Sequence, residues 1–163
     1  MGKKRFKIFP VLILVFFILI IVGFILPFSR IFSQVSINER SFKNTLSSLP
    51  VETTEFRLDD LVTFDWDYVY TFYPNMSKDE IENIIGFKSN EIKKTENENL
   101  DQLMFVKNNK VVCNIVGFPD KLKFEFDLGE LENRYTKIDR TDQPVFTVNV
   151  QDGIKYFSLE ETE

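Results

Sequence analysis

Asp65 and Asp67 flank Trp66 in the segment FDWDYVYTF (64–72). Side chains two residues apart on a strand point to the same side. Two such carboxylates can share a divalent cation, or act as an acid–base pair on a polymer. Asp59 and Asp60 are near enough to add ligands. The competing reading is a solvated strand face, and it is favoured: a calcium loop needs a glycine and more oxygen donors in register, and D-x-D-x-D-G is absent. Phe64, Trp66, Tyr68, Tyr70 and Phe72 alternate on the opposite face. They form either a core face or a stacking platform for glycans, and period-two aromatics are more often core. Tyr73 breaks the alternation and is the member expected at the surface. The candidate binding residues are therefore Asp65, Trp66, Asp67 and Tyr73.

Other chemistry has little to work with. The chain has no His, no G-x-S-x-G and no glycine-rich phosphate loop. Its one cysteine, Cys113, sits in the apolar run VVCNIV; it excludes an internal disulfide and reads as a small buried hydrophobe without a base to activate it. No metal site and no cofactor are expected, and the domain reads as non-enzymatic. The alternative is a cell-envelope enzyme that acts on a wall polymer through Asp65 and Asp67. Asn75-Met76-Ser77 matches a glycosylation sequon, but Ser77 is better placed as a helix cap.

Those residues must be positioned by elements outside the cytoplasm. Lys3, Lys4, Arg5 and Lys7 precede an uncharged apolar run from Ile8 to Leu26. At 1.5 Å per residue the run spans about 28 Å, near the roughly 30 Å hydrocarbon core of a bilayer. The basic cluster predicts a cytoplasmic N-terminus. A cleaved signal peptide is the rival, but it needs a shorter apolar core and a small-x-small cleavage site. Either way, the chain beyond the run is extracytoplasmic, at the cell membrane. The expected organisation is a basic segment at 1–7, a single-pass transmembrane signal anchor at 8–28, a juxtamembrane helix or linker at 29–50 and a domain at 51–163. Beyond Arg30 stand 15 basic and 25 acidic residues, a net charge of −10. That balance argues against nucleic acid and against docking on anionic headgroups. It suits a basic protein partner, and equally plain solubility.

Residues 35–49 predict a helix with Val35, Phe42, Leu46 and Leu49 on a narrow stripe, stopped by Pro50. Residues 51–61 read as a connecting stretch with one turn. Ser77 and Glu80 form a capping box, Met76 can staple to Ile81, and Gly86 closes a helix at 78–85. LMFV (103–106) and KVVCNIVGF (110–118), joined by Lys107-Asn108-Asn109, predict a hairpin of central strands with both faces buried. KLKFEFDL (121–128) alternates with Leu122, Phe124, Phe126 and Leu128 inward. Arg134–Asp139 is a further strand, and Asp152-Gly153 turns a second hairpin between 144–150 and 154–159. The fold class is α+β: an N-terminal transmembrane helix, then an antiparallel meander sheet packed by one or two short helices.

The segment FDWDYVYTFYPNMSKDEIENIIGF resembles a motif of small bacterial membrane-anchored proteins and lipoproteins, in which an F-D-W-D-x-V-Y-x-F strand precedes a Pro, a Ser/Thr-capped helix and I-G. The matching residues are Phe64, Asp65, Trp66, Asp67, Val69, Tyr70, Phe72, Pro74, Ser77, Ile81, Ile85 and Gly86. The resemblance implies a small extracytoplasmic domain and carries no activity. This chain lacks a lipobox cysteine, so its anchor would be Ile8–Leu26.

Overall fold

The computed structural model describes residues 13–20, 33–95, 97 and 99–160. Residues 13–20 are helical and every one is exposed. The rest of the expected Ile8–Leu26 span lies outside the described residues. No helix among the described residues is long and apolar enough to cross a membrane.

Helix α1 (Gln34–Ser48) begins at Ser33, whose Oγ accepts the Ser36 amide. Its buried stripe is Val35, Asn38, Phe42 and Leu46. The stripe looks narrow in sequence because Asn38 occupies one of its positions. The buried amide is paired, as burial demands: Asn38 Nδ2 donates to the Val112 carbonyl at 2.8 Å and its Oδ1 accepts from Gln34 at 2.9 Å. Lys155 Nζ donates to the carbonyls of Leu46, Ser47 and Leu49 at 2.9, 3.0 and 2.7 Å. These are carbonyls that a helix end leaves without partners.

The chain continues through β1 (Glu55–Arg57), α2 (Leu58–Leu61), β2 (Tyr68–Phe72), α3 (Lys78–Ile85), β3 (Asp101–Lys107), β4 (Lys110–Gly117), α4 (Pro119–Leu122), β5 (Phe124–Asp127), β6 (Tyr135–Asp139), β7 (Val145–Gln151) and β8 (Ile154–Leu159). The strands form two sheets, ordered β1-β7-β8-β5 and β4-β3-β2-β6. The expected single meander is corrected: β5 leaves β4 for the other sheet and pairs parallel to β8. The departure is local. Instead of continuing a strand, 119–122 makes a helical turn that ends at Lys123 with φ +66. Leu122 folds back so closely that a Cβ on Gly117 would lie 2.9 Å from its side chain, so a larger residue there would have to displace it. Phe124 and Phe126 then join Phe146 and Phe157 in the main core, with Phe42, Leu46, Leu103, Phe105 and Trp66. A second core on the far face of the β2–β3–β4 sheet holds Tyr70, Phe72, Met76, Ile81, Met104 and Val106.

Two further expectations change. β4 is an edge strand, not a central one. Two of its carbonyls are covered by side chains, Val112 by Asn38 and Asn114 by Lys93 at 2.8 Å each, and Lys93 is held by Glu39 at 2.6 Å. The strand expected at 64–72 starts only at Tyr68. Asp67 breaks the alternation, with its amide bonded to the Val106 carbonyl and its carbonyl to the Arg140 amide. Trp66 therefore enters the main core while Tyr70 and Phe72 enter the second.

Helix α3 carries the devices read in its sequence. Ser77 Oγ accepts the Glu80 amide at 3.2 Å, Glu80 Oε2 accepts the Ser77 amide at 2.7 Å, and Gly86 adopts φ +83. Both hairpins turn on two left-handed residues, Asn108-Asn109 and Asp152-Gly153, as the twist of paired strands prefers. Ser77→Ala should lower unfolding stability by about 1 kcal/mol, read as a shifted urea midpoint at unchanged slope; no shift would show that the cap adds nothing.

Candidate functional site

The FDWD segment is held by residues from distant parts of the chain. Trp66 has no exposed surface, and its Nε1 donates to Asp59 Oδ1 at 2.9 Å. Arg140 Nε lies 3.0 and 3.1 Å from the two Asp59 oxygens, and the guanidinium reaches the Trp66 carbonyl at 3.5 Å. Asp59 is presented by the single turn of α2, and Arg140 by a 3-10 turn (Arg140–Asp142) that Asp139 and Asp142 cap reciprocally. Asp67 accepts Lys107 Nζ at 2.8 Å and the Asn108 amide at 2.8 Å, one on each oxygen.

Asp59, Trp66, Asp67, Lys107, Asp139 and Arg140 wall an open cleft of about 470 Å³ together with Tyr68. The Lys107 and Asn108 hydrogen bonds hold the Asp67 carboxyl below the usual carboxylate range. The Thr141 amide and hydroxyl do the same for Asp139. Each Asp67 oxygen thus already accepts one donor, and among the described residues no three acidic or Cys side chains are grouped to hold a metal.

Asp65 and Asp67 are thus not assembled as a pair. Asp65 stands outside the cleft, its side chain 83% exposed, with Arg140 Nη1 at 3.7 Å. Asp60 is exposed and does not line the cleft. Trp66, among the candidate binding residues, is a fully buried core side chain that backs the cleft wall with its Nε1 held by Asp59. Tyr73 is exposed, as its break in alternation suggests, but it sits past the far end of β2 beside Arg134, 5.8 Å from its ring. Cys113 is buried, and burial pushes its thiol pKa up. Compared with protein-family models, characterised proteins and solved structures, the chain matches none.

Sequence reasoning missed Arg140 and Lys107, which lie 81 and 40 residues from their partners. The one local signal for Arg140 is its D-x-x-D turn, a capping pattern. It also missed Asp101, at the start of β3. This carboxylate accepts the Phe126 amide at 3.3 Å and borders a second cleft with Glu125. Burial, and the Glu125 charge to a lesser degree, push its pKa up to about 7, against the pull of the Phe126 amide.

Trp66→Ala should cost about 3–5 kcal/mol, and Asp59→Ala about 1–3 kcal/mol through the stranded indole N–H. Asp65→Asn should leave the midpoint of unfolding in place. A melt in which Asp65→Asn matters more than Trp66→Ala would restore the binding-site reading of this segment. Asp101 generates a separate expectation, about pH. An unfolded Asp loses its proton near 3.9, whereas Asp101 keeps it to about 7 when folded. Its stabilising contribution is complete below about 4 and is lost as pH rises towards 7. The lowered carboxylates Asp67, Glu80 and Asp139 act oppositely, and their contribution is lost only as pH falls below about 4. Between pH 4 and 7.5 the wild-type urea midpoint should therefore fall relative to that of Asp101→Asn; parallel profiles would refute the assignment.

Proposed function

We propose that the protein is a membrane-tethered accessory module whose acidic extracytoplasmic domain binds a basic protein partner, in the manner of an immunity protein. The observation that carries the tether is the stretch 13–20: eight consecutive apolar residues, helical, with none buried. A helix apolar on every side needs an apolar surrounding, and the uncharged run from Ile8 to Leu26 in which it lies suits a bilayer. The basic residues before the run favour a cytoplasmic N-terminus, and the F-D-W-D resemblance agrees with a small domain outside. The partner's chemistry is drawn from the −10 charge beyond Arg30, which favours encounter with cations. Binding is favoured over catalysis because the Asp59 and Asp67 oxygens in the cleft already have donors.

The test has two arms. In intact cells with the outer barriers opened, Glu160→Cys should react with an impermeant maleimide while Cys113 stays silent. Labelling only after lysis would reverse the orientation. The full chain, purified from gently solubilised envelopes at low salt, should retain a basic protein that about 0.5 M salt releases by screening. Recovery of the chain alone would count against the partner.

A further inference from the structure

The two sheets have four outer edges, of which two are partly occupied by side chains and one is short. Side chains of Asn38 and Lys93 cover the β4 carbonyls. Asp101 takes the Phe126 amide of β5. β1 has three residues. The fourth edge, β6, has five. The Tyr73 amide bonds the Arg134 carbonyl, and the Arg140 amide bonds the Asp67 carbonyl. In an antiparallel ladder this directs Thr136 and Ile138 to β2, and turns the backbone of Tyr135 and Lys137 outward. The amide and carbonyl of Lys137, and the carbonyl of Tyr135, have no partner among the described residues.

A groove runs beside this edge. Two adjoining hollows of about 470 and 240 Å³ share Lys137 and Leu159 as walls. Leu128 and Val145 add apolar surface, and Glu130, Asp142 and Glu160 supply negative charge. The Lys137 ammonium sits 3.7 Å over the Tyr68 ring, and the three carboxylates outnumber it, so the groove is net negative. Resting on the partner chemistry proposed above, we propose that the β6 edge receives an extended, Lys- or Arg-bearing segment of the partner as an added strand. Backbone pairing with Lys137 would supply the register, apolar side chains would enter against Leu128, Val145 and Leu159, and basic ones would meet the three carboxylates. A second copy of this chain fits worse: twofold antiparallel pairing about Lys137 sets lysine opposite lysine, which repels. The chain's own continuation past Glu160 brings Glu161 and Glu163, of the same sign as the rim.

The test uses the full chain in lipid nanodiscs and an acetylated octapeptide of alternating valine and lysine. Hydrogen exchange of the Lys137 amide, the donor at the open edge, should slow about tenfold when the peptide is saturating, since pairing removes that edge. A peptide N-methylated at alternate residues, which leaves the protein untouched, should lose this protection. So should a valine–glutamate peptide, and Glu160→Lys should weaken binding several-fold. Equal protection by the N-methylated peptide, or no binding, would overturn the proposal. Binding that protects another surface would overturn the edge while leaving a basic partner in place. Protection that rises with protein concentration alone would assign the edge to a second copy.

Discussion

Phe42 is the ring on which both sheets converge. It lies 5.3 Å from Phe105 in one sheet and 6.3 Å from Phe126 in the other, with Phe64 also at 6.3 Å. The first and last contacts are edge-on, the arrangement that the charge distribution of aromatic rings favours. Phe126 passes the chain of contacts to Phe146 and Phe157, and Phe105 passes it to Trp66. Two small sheets of short strands have little area of their own to bury. A helix that inserts one large side chain between them turns two half-cores into one. The segment before Pro50, which reads in sequence as a juxtamembrane helix or linker ahead of the domain, therefore contributes to the main core.

Helix α1 also closes an edge. Asn38 and Glu39 act together there, the first on the Val112 carbonyl and the second through Lys93 on the Asn114 carbonyl. Open strand edges invite unwanted pairing, and natural sheets blunt them. Here polar side chains of a covering helix and loop do so, at positions where a simple amphipathic pattern would place leucine. At the opposite side of the same sheet, no side chain among the described residues bonds the outward Lys137 backbone of β6.

Much of the local structure was legible because its causes are local. The Ser77–Glu80 box, Gly86, Asn108-Asn109 and Asp152-Gly153 each depend on residues within four positions of one another. The sheet partition was not legible, because it depends on a turn at Pro119–Leu122 that alternation in KLKFEFDL conceals. Counting apolar faces also misplaced β4, since burial of both faces does not require neighbours on both edges. At the candidate site, the pattern F-D-W-D pointed to the right segment for a different reason. Its residues are constrained by Asp59, Lys107 and Arg140, partners that spacing cannot reveal. Asp101 was invisible because its burial is made by β5, another sheet's strand.

Lys155 has a consequence in time rather than in space. It lies in the last strand of the fold, yet it closes the C-terminal end of the first helix of the domain, 109 residues earlier at Leu46. As the chain emerges from N- to C-terminus, that helix must wait for nearly the whole domain before its final carbonyls find their partner. Contacts so distant in sequence slow folding, because loop closure precedes their reward. The Phe42 surface stays uncovered for much of the same interval, as its neighbours Phe105 and Phe126 also come more than sixty residues after it. Synthesis order thus makes the first-made helix one of the last to settle, and its window of vulnerability to aggregation or proteolysis is set by the time taken to make β8.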